Sequence, residues 1–125
     1  MNIHIRANAI EITPAVDEYI RKKSQALEKY LATDSVADLY VEVSKTTGHH
    51  KSGEVFRSEF DLRTSLGQFR GEAEEQDLYA AIDRSKDEVL ENFRSMHDKK
   101  KTLLRRGKER IKNIIRGISG RESEV

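Results

Sequence analysis

Along the stretch from Asp77 to Lys101, the side chains Tyr79, Asp83, Lys86, Arg94, His97 and Lys101 recur at spacings that put them on one flank of a helix. Lysines and an arginine aligned in this way suit phosphate binding better than catalysis. Cations on a rigid element hold their charge in a fixed geometry against a sugar-phosphate backbone, and the affinity they supply falls steeply with salt. Tyr79 at the helix start adds a stacking or hydroxyl contact. A second flank carries Lys22 and Lys29, seven residues apart, while Lys23 borders an apolar stripe where its methylenes pack and its ammonium reaches water or a phosphate. From Arg94 to Arg116 ten cations face two carboxylates, a net of +8, so the rest of the chain carries −7 within a total of +1. Such polarity suggests a polyanionic partner.

Catalysis would have to rest on His4, His49, His50, His97 and the carboxylates. His49 and His50 are adjacent and have no third ligand at metal-binding spacing, and no H-E-x-x-H, G-x-S-x-G or phosphate-cradling glycine loop occurs. The absence of cysteine excludes disulfides, thiolate metal sites and thiol nucleophiles. Asp77 reads as the helix N-cap, and Asp83 as an i,i+3 partner for Lys86. The expectation is a protein with no catalytic residues, no metal and no cofactor.

The elements that position these residues follow from periodicity. Asn2 to Asn8 alternates as a half-buried strand, with Ile3 and Ile5 on one face. Thr13-Pro14 opens a helix running to about Leu31, with Val16, Tyr19, Ile20, Leu27, Tyr30 and Leu31 inward. After a turn at Thr33-Asp34-Ser35, Leu39, Val41 and Val43 mark a second strand. The loop Thr46 to Gly53 leads to a third strand with Phe56, Ser58, Phe60 and Leu62 inward. Ser65-Leu66-Gly67-Gln68 turns it into a fourth strand with Phe69, Gly71 and Ala73 inward. In the last helix Leu78, Ile82, Val89, Phe93 and Met96 form the apolar stripe, with Ala81 and Ser85 as small neighbours. The predicted fold class is α+β, a two-layer sandwich of order β-α-β-β-β-α in which a four-stranded sheet carries two helices on one face. The two basic flanks are then expected to face each other across a groove. Element order from the first helix onward matches double-stranded RNA-binding domains, an analogy of order alone.

A chain of 125 residues with 36% apolar and 36% charged residues is one domain with a lean core. The expected division is a folded part over residues 1–101 and a basic, mobile tail over 102–125. The helical pattern weakens at Gly107, and Ile111, Ile114, Ile115 and Ile118 outline a short amphipathic segment before the polar end. No stretch approaches the length of a membrane span and no apolar leader begins the chain, so a cytoplasmic protein without membrane contact is expected.

Three segments resemble the ribosome hibernation-promoting factor family, also called ribosome-associated inhibitor or sigma-factor modulation protein. They are I-x-x-N-A-I-E-I-T-P-A from Ile5 to Ala15, K-K-S-Q-A-L-E-K-Y from Lys22 to Tyr30, and E-E-Q-D-L-Y-A-A-I-D from Glu74 to Asp83. The resemblance spans roughly Met1 to Lys101, with Leu78 where the family commonly has methionine, a volume-conserving exchange. It implies a domain that binds the small ribosomal subunit between head and body, over the messenger and tRNA positions, and stops translation by steric occlusion under stress or in stationary phase. The rRNA-facing positions it implies are Lys22, Lys23 and Lys29 on the first helix and Lys86, Arg94, Lys99, Lys100 and Lys101 on the second. Ribosomal proteins are further candidate contacts, and no small-molecule substrate is implied. The chain is too short for the ribosome-pairing second domain of long members, and its basic tail fits neither tail pattern of the short ones. An alternative is a regulator that docks a protein partner through the exposed sheet face or the isoleucine-striped tail.

Overall fold

A computed structural model describes residues 1–31, 36–46 and 53–123, and their side chains except those of Lys100, Lys101 and 115–123. The expected turn at Thr33-Asp34-Ser35 and residues 47–52 of the Thr46 to Gly53 loop, His49 and His50 included, lie outside the described residues. The order is β1 (Asn2–Asn8), α1 (Pro14–Glu28), β2 (Asp38–Thr46), β3 (Val55–Thr64), β4 (Gly67–Glu75) and α2 (Leu78–Ser123). The four strands form one sheet in sequence order. β1 pairs parallel with β2 across the helical crossover, and β2-β3-β4 is an antiparallel meander. The chain divides into two compact units, Met1–Arg94 and Ser95–Val125.

Register sorts the side chains. Ile3, Leu39, Leu62 and Phe69 form one inward row, Ile5, Val41, Phe60 and Gly71 the next, and Ala7, Val43, Ser58 and Ala73 a third. Val16, Ile20 and Leu27 of α1 and Ile82, Val89 and Phe93 of α2 are buried in the same core cluster as these strand residues, which puts both helices on one face. Each fully buried aliphatic or aromatic side chain contributes about 1.5–3 kcal/mol, so these rows outweigh any single polar contact.

Local chemistry sets the element ends. Thr13 is the N-cap of α1, its Oγ1 accepting from Val16 N (3.2 Å), with Pro14 at the first helical position. α1 stops at Glu28, short of the expected Leu31. The N–H groups of Tyr30 and Leu31 turn tightly back to the carbonyls of Leu27 and Glu28, and Leu31 is still buried. The β3–β4 turn places Gly67 at φ +134°, a conformation side chains with a Cβ rarely adopt.

Two stripe assignments need correction. Tyr30 is half-exposed, its ring edge-on to Phe93 rather than within the core, and Met96 is 39% exposed. The helix expected to weaken at Gly107 continues to Ser123. A glycine costs about 1 kcal/mol relative to alanine, and strong helix formers surround this one, including Leu103, Leu104, Arg105, Arg106 and Lys108.

α2 lies directly on the sheet at one point. A Cβ added to Gly71 would stand 2.3 Å from the carbonyl oxygen of Ser85 and 2.5 Å from the backbone nitrogen of Val89. Beside it, the buried Ser85 Oγ is hydrogen-bonded to Ser58 Oγ (2.8 Å) and lies 2.8 Å from the Ala81 carbonyl oxygen, so neither hydroxyl is stranded in the core. Gly71→Ala forces backbone apart and is expected to cost about 1–3 kcal/mol or more, as overpacking does. Denaturant unfolding should show a lower midpoint, with Gly67→Ala affected through strain instead of contact.

Candidate nucleic-acid interface

The outward face of the sheet is the alternative surface for a charged partner, and its charges are largely used up internally. Arg57 bonds Glu59 (3.1 Å) and Glu72, Arg70 bonds Glu59, and Arg63 bonds Asp61 (3.3 Å), which also accepts from Gln68 Nε2 (2.9 Å). The Arg70 hydrogen bond holds the Glu59 carboxyl below the usual carboxylate range, against the desolvation that opposes it. At the β1–β2 end, His4 stacks on Tyr40 (4.6 Å between centroids) and Arg63 lies over the same ring (4.5 Å). By register this face carries Arg6, Arg57, Arg63 and Arg70 against Asp38, Glu42, Glu59, Asp61, Glu72 and Glu74. Four cations against six carboxylates make it a poor site for a polyanion.

The helical side differs. α1 and the first turns of α2 meet where a groove was expected. The Tyr19 hydroxyl donates to the Asp83 carboxylate, 2.8 Å from both oxygens, and Lys23 Nζ lies 3.3 Å from Asp83 Oδ1. Tyr79 stands edge-on to Tyr19 at 4.8 Å, and Lys23 Nζ is 5.3 Å from the Tyr19 ring centre. Asp83 therefore does not pair with Lys86, as its i,i+3 spacing suggested. It turns to the other helix, and Lys86, with a side chain only 15% exposed, pairs with Asp87. Lys23 and Asp83 are each about a third exposed or more, so their ion pair contributes only ~0–1 kcal/mol, and the Tyr19 bond gives the junction its direction. Asp77 caps α2 as expected: its carbonyl accepts from Ala81 N (3.0 Å) and its Oδ1 from Tyr79 N (3.4 Å).

The predicted binding residues fall into groups. Lys22 on α1 and Lys29 at its C-cap are exposed, with no carboxylate partner among the described residues. Arg94 lies over the Tyr30 ring (5.6 Å), which ties α2 to the turn that follows α1, and its guanidinium has no acid partner among the described residues. Tyr79 is 38% exposed. Lys23 and Lys86 already hold carboxylates. His97, 3.6 Å from Asp98, and the exposed Lys99 belong to the second unit. The side chains of Lys100 and Lys101 lie outside the described residues. Sequence reasoning put Tyr19 in the apolar stripe and missed its role as donor to Asp83. A phenol at the edge of a stripe facing a carboxylate 64 residues away leaves no mark in local spacing. Among the described residues no cluster of histidines and carboxylates could hold a metal, and no helix is long and apolar enough to cross a membrane.

Residues 3–112 match the family described as sigma 54 modulation protein / S30EA ribosomal protein. The ribosome hibernation promoting factor of Escherichia coli K12 is 33% identical over 103 residues, covering 81% of this chain and 98% of that protein. The ribosome hibernation promotion factor of Bacillus subtilis is 30% identical over 94 residues, covering 75% of this chain and 47% of its relative. Among solved structures, the Protein Y N-terminal domain of Thermus thermophilus superposes with a TM-score of 0.53 at 33% identity, covering 70% of this chain and 89% of that one. A ribosomal subunit interface protein of Coxiella burnetii shares the fold, with a TM-score of 0.56 at 16% identity, covering 70% and 87%.

Burial, the hydrogen bond to Asp83 and the nearby carboxylate push the Tyr19 phenol up to about 12. The folded state thus holds its proton more tightly than the unfolded chain, whose ordinary value is near 10. The stability this gives is complete below pH 10 and is lost as pH rises through 12. Tyr19→Phe should remove the phenolate that forms near pH 12 from the ultraviolet absorbance titration and flatten the alkaline arm of the stability curve. Asp83→Asn should bring the Tyr19 titration back toward 10.

Proposed function

Because the chain belongs to the sigma 54 modulation protein / S30EA ribosomal protein family, we propose that it is a ribosome hibernation factor that binds the small ribosomal subunit and blocks translation by occupying the decoding and tRNA channel under stress or in stationary phase. The names of its Escherichia coli and Bacillus subtilis relatives support the hibernation role. It acts as a cytoplasmic steric inhibitor and catalyses no reaction.

The observation that carries the reading is the partition of charge between the two faces of the sandwich. Outside, the arginines of β3 and β4 are held by carboxylates. On the helices, Lys22, Lys29 and Arg94 have no carboxylate partner among the described residues, so a phosphate backbone meets them without first breaking an ion pair. Tyr79, 38% exposed and packed at right angles to Tyr19, offers an aromatic contact at the start of α2. Lys23 and Lys86 contribute second, after exchanging Asp83 and Asp87 for phosphate. Lys99, Lys100, Lys101 and His97 are further basic residues that follow in the sequence and are proposed to join in binding.

Co-sedimentation with purified small and large subunits over a range of salt tests this. Association with the small subunit is expected, weakening with salt, and Lys22→Glu, Lys29→Glu and Arg94→Glu should each reduce the salt slope by about one. Arg70→Glu on the outer sheet face should leave the slope unchanged. Absence of small-subunit association even at low salt would falsify the proposal. In a reconstituted translation reaction the wild-type chain should inhibit, and the triple variant should not.

A further inference from the structure

The helix beyond Ser95 leaves Leu103, Leu104, Ile111 and Ile114 60–68% exposed. With Gly107 they fall in an arc of roughly 100°, at 100° per residue. Phosphate binding has no use for this face, since an RNA backbone would leave the aliphatic groups in water. Leu104, Gly107, Lys108 and Ile111 stand at i, i+3, i+4 and i+7, the diamond into which a neighbouring helix inserts a side chain. Gly107 leaves the floor of that diamond empty, for a Cβ built there meets no atom within 4 Å. In a bare helix this glycine costs about 1 kcal/mol relative to alanine and returns nothing. Against another helix it provides a notch.

The borders define the occupant. Arg106 and Arg110 flank the arc on one side and Lys108 and Lys112 on the other, with Glu109 on the opposite surface. A second copy of the chain would set cations against cations along both seams. Fluid lipid chains need no notch and would gain from a larger apolar side chain in its place. We propose that the Leu103 to Ile114 face docks an amphipathic helix of another protein, one with acidic borders, whose large apolar side chain inserts over Gly107. The anchors then read as a helix-in-groove contact, and the flanking lysines and arginines pair with the partner's carboxylates. This inference does not depend on the ribosomal reading, because it uses other residues and another chemistry.

The probe is a synthetic helical peptide with leucine at its a and d positions and glutamate at e and g, titrated against the full chain by fluorescence anisotropy below the concentration at which the peptide self-associates. Wild-type binding is expected, with Gly107→Leu at least about tenfold weaker, which corresponds to about 1.4 kcal/mol. Helicity by circular dichroism should be unchanged or higher in that variant, so the loss cannot be ascribed to unfolding. The same peptide with lysine at e and g should also bind at least about tenfold more weakly. Co-sedimentation of Gly107→Leu with ribosomal subunits should match the wild type. The proposal is overturned if the glutamate peptide fails to bind, or if Gly107→Leu binds it as well as the wild type. Binding to phosphatidylglycerol vesicles that tightens in Gly107→Leu would make the occupant a membrane instead. Self-association by sedimentation velocity that disappears in Ile111→Asp would make it a second copy.

Discussion

The sandwich depends on how closely α2 approaches the sheet at Gly71. With 2.3 Å between a hypothetical Cβ and the Ser85 carbonyl oxygen, backbone lies on backbone, and only glycine fits. That proximity brings Ser85 within hydrogen-bonding distance of Ser58 and draws Ile82, Val89 and Phe93 down among Phe60, Leu62 and Phe69. Close packing gives dispersion contacts that a looser crossing would forfeit. It also sets the height at which the polar flank of α2 emerges. Asp83 reaches Tyr19 and Lys23 because the stripe beneath it is seated.

The outward face of the sheet meets most of its charges within itself. An outward sheet face with alternating charges could become a sticky surface, yet its arginines and carboxylates neutralise one another across β3 and β4. Pairs with one well-exposed partner, such as Arg57–Glu72 and Arg70–Glu59, add little to stability. Their effect is on recognition, since a face with more carboxylates than cations repels a polyanion. On the helices Asp17, Asp83 and Asp87 are held by cations, while Lys22, Lys29 and Arg94 have no carboxylate partner among the described residues.

The second unit shows the limit of reading charge alone. Its cations fit the ribosomal reading, but its four exposed aliphatic side chains do not follow from it. A basic helix with a notched apolar arc has two chemistries on one element. Helical phase keeps them apart, as it does for the core stripe and the polar flank earlier in α2.

Sequence periodicity determined the order β-α-β-β-β-α and, Phe56 apart, the core-facing residues of the strands, because alternation by two and recurrence at 3.6 are local properties that each segment carries in itself. The three family-like segments likewise identified the kin of the chain. What only the tertiary structure decided is which of the chain's charges already have partners. Asp83 chose Lys23 and Tyr19 over Lys86, Tyr30 stayed at the edge beside Phe93, and Gly71 proved to be the seat of α2 and not simply a small residue in a strand. Each outcome turns on a distance between segments far apart in the chain, and spacing along one element does not contain that distance.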